Sequence, residues 1–192
     1  MPAGRVGVKS PTLKRAVFLD RDGTLIKERG YLKNPNRIRF YSSVVPALRR
    51  LKRAGLVLVV VTNQSGIGRG YFPRAVLRKI HRIIHDKLRK TGVTLSGIYY
   101  CPHAPDDACS CRKPKPGLPR RAAKALGLNL KKSFVVGDQW RDMELAKRIG
   151  AKGVLVLTGA GRGVARTYPT TATKVCRDLN SAGRWIEGEI KR

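Results

Sequence analysis

Short apolar segments alternate with longer amphipathic segments along most of the chain. The short segments suit strands that are buried on both faces, and the longer ones repeat apolar residues at the spacing of a helix. This alternation is typical of a parallel sheet whose strands are joined by crossover helices. The predicted strands cover residues 16–19, 56–61, 98–101, 133–136 and 153–157.

Glycine marks the predicted ends of three connecting helices. Each of these amphipathic segments is followed directly by glycine, the residue that most often ends a helix. A weaker helical pattern lies near the end of the chain, and we expect residues 159–192 to close one edge of the domain. The predicted helices cover residues 44–54, 118–126, 143–149 and, more weakly, 179–186.

The longest amphipathic segment, residues 73–90, is predicted to pack one face against the sheet. Its first residue, a proline, suits a first helical turn. The opposite face is rich in arginine, which favours a solvated surface over a nucleic-acid contact. His81 and His85 are four residues apart, a spacing that can bind metal. No acidic partner of the HExxH kind accompanies them, so we assign them a structural role.

A length of 192 residues favours one well-filled domain. We expect a flexible basic tail over residues 1–14 and a single α/β domain over residues 15–192. The expected architecture is a three-layer, Rossmann-like parallel sheet with helices on both faces. No apolar run approaches the roughly 20 residues of a membrane helix, and the first residues lack the apolar core of a secretory signal. We therefore expect a cytoplasmic monomer that makes no membrane contact.

The chain carries 41 Lys and Arg against 12 Asp and Glu, a formal charge of +29 that must attract anions. Nucleic acid is one such anion, because basic surfaces bind it non-specifically. The basic residues are spread along the whole chain, however, and no nucleic-acid-binding motif is recognisable. We therefore expect no specific nucleic-acid partner, and a small phosphorylated metabolite is the other anion that this charge would attract.

Three functional side chains are predicted at strand ends. Asp20, Thr62 and Asp138 each come at or just past the end of a strand, and the carboxyl ends of parallel strands lie at one edge of a sheet. Asp20 and Asp22 would point to the same side before Gly23 turns the chain. One carboxylate could attack phosphorus while the other transfers protons, with Mg²⁺ neutralising the repulsion of the phosphate. An Asp-x-Asp taken alone is equally consistent with an ordinary turn.

A second metal site is predicted from cysteine spacing. Three of the four cysteines lie with a histidine between residues 101 and 111. Three thiolates and one imidazole form a closed tetrahedral zinc site, which is structural because no position is left for substrate. Disulfide bonding is the competing interpretation, but clustered Cys and His in a cytoplasmic chain favour metal. The predicted zinc ligands are Cys101, His103, Cys109 and Cys111, and zinc would fix the following Arg112 and Lys113.

Four ordered motifs resemble those of the haloacid dehalogenase (HAD) superfamily. They are the strand followed by Asp-Arg-Asp-Gly-Thr at 20–24, the strand ending in Thr-Asn-Gln at 62–64, the lysine at 113, and Gly-Asp-x-x-x-Asp at 137–142. The resemblance implies that Asp20 is the nucleophile, forming an aspartyl phosphate, and that Asp22 is the acid and base. Thr62 and Lys113 would hold the transferring phosphoryl group. The implied magnesium ligands are Asp20, the backbone carbonyl of Asp22, and Asp138, with Asp142 orienting beside the metal.

Within the superfamily, the zinc loop and residues 63–71 resemble the branch that contains D,D-heptose 1,7-bisphosphate and histidinol-phosphate phosphatases. Lys-Pro-Lys-Pro-Gly at 113–117 is closer to the heptose enzymes. The implied reaction is removal of the C7 phosphate of a heptose bisphosphate in lipopolysaccharide synthesis. Histidinol phosphate and nucleic-acid ends are the alternative substrates. The implied substrate contacts are Glu28, Arg29, Gly30, Tyr31, Thr62, Asn63, Gln64, Ser65, Arg112 and Lys113, with Arg69 as a further phosphate contact.

The sequence departs from the heptose enzymes at Gln139 and in its compact zinc loop, which would alter the rim of the pocket. Gln139 stands where those enzymes often have lysine, which puts one phosphate contact in question. The intervals between the motifs are short, and predicted sheet elements use most of them. We therefore expect an enzyme without a cap domain, whose specificity comes from the loops at 28–36 and 101–111.

Overall fold

The structure is a computed structural model that describes residues 13–27, 30–168 and 172–192. Residues 1–12 of the predicted tail lie outside this range. The backbone N–H of Lys14 donates a 2.8 Å hydrogen bond to the carbonyl oxygen of Gly127, so the last residue of the predicted tail contacts the domain. None of the helices in the described chain is long and apolar enough to cross a bilayer.

Six parallel strands form one sheet. The five predicted strands are confirmed, with ends shifted by at most two residues, and the sixth lies at one edge. This sixth strand was not predicted because two of its three residues are exposed, which leaves no apolar run. The strands are β1 (Ala16–Leu19), β2 (Val57–Asn63), β3 (Gly97–Cys101), β4 (Phe134–Gly137), β5 (Lys152–Val156) and β6 (Lys174–Cys176). Their order across the sheet is β3-β2-β1-β4-β5-β6.

Alternate residues of β1 pack on opposite faces of the sheet. Val17 and Leu19 belong to one apolar core, whereas Ala16 and Phe18 belong to another. Because both faces of the strands are covered by helices, the predicted three-layer fold is confirmed. The first core is covered by α1 (Val44–Arg53), α2 (Arg74–Arg89) and α6 (Leu179–Lys191), and the second by α3 (Gly117–Leu126) and α4 (Trp140–Ile149).

The α-helices differ from prediction by more than one residue in three places. Helix α6 continues to Lys191, five residues beyond its expected end. Helix α4 begins three residues earlier than expected because Gln139 and Asp142 form a capping box at its start. A short helix, α5 (Gly161–Thr167), packs on β5 and was not predicted, since two glycines in its first three residues weaken the helical pattern. Residues 159–192 do close an edge of the sheet, because β6 lies there. No cap domain is inserted between the strands of the described chain.

Candidate active site

The site lies where the order of the sheet reverses direction. Strands β2 and β4 flank β1 on opposite sides, and in open parallel sheets ligands bind beyond the carboxyl ends of strands at such a point. Asp20 follows β1, Thr62 lies at the end of β2, and Asp138 follows β4; all three side chains are buried. Asp20 and Thr62 also line a cavity of about 340 Å³. The predicted convergence of the three strand ends is confirmed.

Lys113 connects two of the carboxylates. Its Nζ lies 2.5 Å from Oδ1 of Asp20 and 2.7 Å from Oδ1 of Asp142, and its side chain is buried. The side-chain amide of Asn63 accepts a hydrogen bond from the backbone N–H of Lys113 (2.9 Å) and donates one to its carbonyl oxygen (3.2 Å). Asn63, which was predicted to contact substrate, therefore also fixes the peptide that carries the lysine.

Three carboxylates could hold a metal ion. Oxygen atoms of Asp20, Asp138 and Asp142 all lie within 4.8 Å of one another, and all three residues are buried. Lys113 neutralises only one of these charges, and buried charges are rarely left unpaired, so a divalent cation fits the site. Gly23 makes the close packing possible, because a Cβ at this position would lie 2.1 Å from Oδ2 of Asp138.

The electrostatics of the cluster agree with this conclusion. Burial raises the pKa of Asp20 well above its usual value, and the carboxylates of Asp142 and Asp138 raise it further, while Lys113 opposes them. Burial alone would lower the pKa of Lys113, but Asp142 and Asp20 raise it above its ordinary value. The lysine therefore stays charged, and a metal ion would favour the ionised form of Asp20 that nucleophilic attack requires.

Asp22 belongs to a separate network. Nη2 and Nε of Arg21 donate to Oδ1 and Oδ2 of Asp22, each at 3.0 Å. Gln64 donates from Nε2 to Oδ2 of Asp22 (2.9 Å) and to Oγ1 of Thr62 (2.8 Å). Its Oε1 accepts from Nη2 of Arg21 at 2.9 Å, and Nη1 of Arg21 lies 3.1 Å from Nε2 of His81. The side chain of Asp22 is thus held beside the carboxylate cluster and not within it.

The network includes Arg21 and His81, neither of which was predicted to serve the site. Burial and the neighbouring Arg21 lower the pKa of His81 to about 3, while Asp22 opposes them. Its imidazole is therefore neutral and accepts a hydrogen bond from the guanidinium. His81 is one of the buried residues of α2, and this burial agrees with the structural role assigned to it from the sequence. Its contact with Arg21, 60 residues away, had no signal in the sequence.

Several predicted substrate contacts line the same cavity as Asp20. Arg69 does not line it, and Glu28 and Arg29 lie outside the described residues. Arg141 does line it and was not predicted, although it lies within the Gly-Asp-x-x-x-Asp motif on the first turn of α4. The predicted contacts found at the cavity are Gly30, Tyr31, Thr62, Asn63, Gln64, Ser65, Arg112 and Lys113.

The predicted cysteine and histidine ligands form a second metal-capable cluster. Sγ of Cys101 lies 3.8 Å from Sγ of Cys109 and 3.4 Å from Nδ1 of His103, which is 3.3 Å from Sγ of Cys111. A tetrahedral site with metal–sulfur bonds of about 2.3 Å separates its sulfur atoms by about 3.8 Å. The cysteines are free thiols, so the competing disulfide interpretation is not supported. Arg112 donates to the carbonyl oxygen of His103, which joins the cluster to the cavity wall.

Comparison with known proteins identifies the family. A family model described as HAD-hydrolase-like matches residues 110–182. The D-glycero-beta-D-manno-heptose-1,7-bisphosphate 7-phosphatase of Pasteurella multocida is 44% identical over 182 residues, covering 92% of this chain and 98% of that protein. The chain belongs to the HAD-like phosphatases. The Escherichia coli K12 protein of the same name is 42% identical over 153 residues, covering 75% of this chain and 80% of that protein.

A solved structure of this HAD-like family has the same fold. The D,D-heptose 1,7-bisphosphate phosphatase from B. bronchiseptica, crystallised with magnesium and phosphate, superposes with a TM-score of 0.84 at 36% identity. The match covers 91% of this chain and 99% of that one. The present HAD-like phosphatase is thus a phosphoric monoester hydrolase, and its predicted relationship is confirmed.

The neutral state of His81 predicts an acid sensitivity of the fold. Its pKa in the folded state (about 3) is below its ordinary value of 6.5, so the unfolded state binds more protons between these values. The stability contributed by neutral His81 is complete above pH 6.5 and is lost progressively as the pH falls toward 3. The free energy of unfolding in urea, measured from pH 7.5 to 4.5, should fall less for His81→Gln than for the wild type.

The matched control is His85→Gln. His85 lies on the same helix, but its side chain is 38% exposed. This variant should follow the wild-type decline. An equal decline in the wild type and His81→Gln would contradict the prediction.

Proposed function

We propose that this HAD-like phosphatase removes the C7 phosphate of D-glycero-D-manno-heptose 1,7-bisphosphate through an aspartyl phosphate on Asp20. The main support is the contact of Asp20 with Lys113 beside a three-carboxylate cluster that opens into the cavity. This arrangement supports a role for Asp20 as the nucleophile and for Lys113 as the fixed cation of a phosphoryl transfer. The substrate is inferred from the names of relatives that match most of the chain.

The proposed chemistry has two steps. A carboxylate oxygen of Asp20 attacks phosphorus, the bond from phosphorus to the sugar oxygen breaks, and Asp22 gives its proton to that leaving oxygen. Water then attacks phosphorus, Asp22 takes the water proton, and the bond to Asp20 breaks to release phosphate. Lys113 and Thr62 orient the phosphoryl oxygens throughout. Each carboxylate ends in the state in which it began.

Magnesium is the proposed catalytic ion. Asp20 and Asp138 would hold it with the backbone carbonyl of Asp22, and Asp142, whose Oδ1 accepts from Lys113, would orient the lysine beside it. Bound there, Mg²⁺ would neutralise the negative charge shared by the carboxylates and the phosphate. Carboxylate oxygens are the ligands that this hard cation prefers, and one solved relative is described with magnesium and phosphate.

Two arginines give the cavity a means to bind a second phosphate. Arg112 and Arg141 line the cavity that contains Asp20, and Arg112 is oriented by its bond to the zinc loop. A guanidinium can bind two phosphate oxygens at once, which suits a phosphate that is recognised but not transferred. A volume of about 340 Å³ is in the range of small-ligand sites. Arg141 would supply the positive charge that is missing at position 139, where this chain has Gln139 in place of lysine.

A substrate panel tests the proposed reaction. With Mg²⁺ present, we expect faster turnover of heptose 1,7-bisphosphate than of histidinol phosphate or of 5′-phosphorylated DNA. Asp20→Asn should abolish phosphate release because an amide of the same shape is not a nucleophile. Phosphate release is measured for each substrate, and removal of Mg²⁺ should stop it. Equal or better turnover of histidinol phosphate would contradict the substrate assignment.

A second prediction concerns Arg141. Arg141→Ala should lower kcat/KM for heptose 1,7-bisphosphate by about tenfold or more, since a charged hydrogen bond contributes roughly 1.5–3 kcal/mol. The same variant should hydrolyse heptose 7-phosphate, which lacks the second phosphate, at nearly the wild-type rate. Arg120→Ala removes an exposed arginine outside this cavity and serves as the control. A loss of the same size on both substrates would contradict the assignment.

Zinc is proposed as the structural metal of the Cys101, His103, Cys109 and Cys111 cluster. Cys111 is two residues before Lys113, so zinc would hold the segment that carries the catalytic lysine. Cys109→Ser should lower the zinc content, measured by elemental analysis, and should lower kcat at saturating Mg²⁺ by about tenfold or more through a misplaced Lys113. Cys176→Ser alters a cysteine outside the cluster and should retain both zinc and activity.

Normal turnover by zinc-free protein would show that zinc and catalysis are not coupled. The monomeric state, the cytoplasmic location and the lack of a specific nucleic-acid partner remain predictions.

A further inference from the structure

A buried arginine beside the site has no part in the chemistry described above. Arg21 is 1% exposed. Removing a guanidinium from water is costly unless charged or polar partners replace its hydration. Arg21 has three such partners in Asp22, Gln64 and His81. A residue surrounded in this way cannot rotate without breaking several hydrogen bonds, so it holds its neighbours in place as they hold it.

His81 fixes the far side of this arginine. It extends from α2, is 9% exposed, and lies edge-on to the ring of Tyr100 at 5.5 Å. A guanidinium has only donors, so Nε2 of His81 must accept the 3.1 Å hydrogen bond and the ring must be neutral. The lowered pKa of His81 agrees with this assignment. An acceptor at this position therefore sets the orientation of Nη1, and with it the plane of the guanidinium.

The network treats the two oxygens of Asp22 differently. Oδ2 accepts from Nε of Arg21 and from Nε2 of Gln64, and Nη2 of Arg21 also lies 2.9 Å from it. Oδ1 accepts one hydrogen bond from the described part of the chain, donated by Nη2 of Arg21. Oδ1 thus has more free capacity to carry or receive a proton. Asp22 itself lines the cavity that contains Asp20.

We propose that His81 and Arg21 are positioning residues that orient Asp22 so that its Oδ1 transfers protons to and from the substrate. Neither residue needs to touch substrate, and His81 does not line the cavity. The proposal rests on the acid and base role proposed for Asp22. It gives His81, a buried residue of α2, an effect on proton transfer in addition to its structural role.

The test compares leaving groups. A sugar oxygen needs a proton as it departs, whereas 4-nitrophenolate is a stable anion that leaves without one. His81→Leu removes the acceptor and frees Arg21, so kcat for heptose 1,7-bisphosphate should fall by about tenfold to a hundredfold. The pre-steady-state burst of 4-nitrophenolate from 4-nitrophenyl phosphate should change by less than about threefold. The steady state after this burst should slow, because water activation also uses Asp22.

Matched variants separate positioning from structure. His81→Gln retains an acceptor near Arg21 and should restore sugar-phosphate turnover to within about threefold of wild type. His85→Leu, on the same helix, should be unaffected. If His81→Leu does not fold, Arg21→Lys provides the same comparison, since an ammonium keeps the charge but loses the planar fork that holds both oxygens of Asp22.

If His81→Leu slowed heptose 1,7-bisphosphate turnover and the 4-nitrophenolate burst by the same factor, the proposal would be overturned. Such a result would indicate a general disturbance of the site, which would affect both substrates. Sugar-phosphate turnover by His81→Gln as slow as that of His81→Leu would also contradict the proposal. Absence of turnover by the wild type on either substrate would instead contradict the proposed function, so the two failures are distinguishable.

Discussion

The ion cluster around Lys113 is the interaction on which the rest of the site depends. A buried ammonium needs negative partners, and here it has Asp20 and Asp142. Removing one partner from a buried ion pair costs roughly 3–5 kcal/mol, because a charge is left uncompensated. Much of the surrounding structure serves to hold this cluster, including the amide of Asn63 on the lysine peptide and the capping box that fixes Asp142 at the start of α4. Burial strengthens the attraction between these charges, and it also causes the free-energy cost of removing them from water.

The distribution of charge follows a different pattern at the surface and in the site. The chain has a formal charge of +29, yet among the described residues four carboxylates, those of Asp20, Asp22, Asp138 and Asp142, line or adjoin one cavity. Carboxylates would repel a phosphate ester, so the site must combine them with cations. Lys113 lies between Asp20 and Asp142, whereas Arg112 and Arg141 lie along the cavity wall. A positive exterior attracts anions generally, and only this local arrangement can select a particular one.

The two metal-capable clusters lie in different kinds of structure, one at the ends of strands and the other in a loop. The carboxylates stand at the ends of central strands, which the surrounding layers hold in register. Lys113 and Arg112 come instead from a loop, which has no strand to fix it. Cys111, the last residue of the cysteine and histidine cluster, lies two residues before the lysine. A bound metal would thereby give a loop the positional accuracy that catalytic geometry requires.

Local patterns in the amino-acid chain were sufficient to predict the sheet, most helices and the main residues that gather at the candidate site. The period of the apolar residues indicates which positions are buried, and the residues of a motif such as Asp-Arg-Asp-Gly-Thr are neighbours in the chain. Neither signal therefore depends on contacts between distant residues. Strand β6 and helix α5 lacked such a pattern, since exposed residues and glycines weakened it. Tertiary structure alone decided that His81 meets Arg21, and that Arg141 reaches the cavity. These contacts join residues far apart in the chain, and they exist only because the register of the sheet and the packing of its helices bring them together.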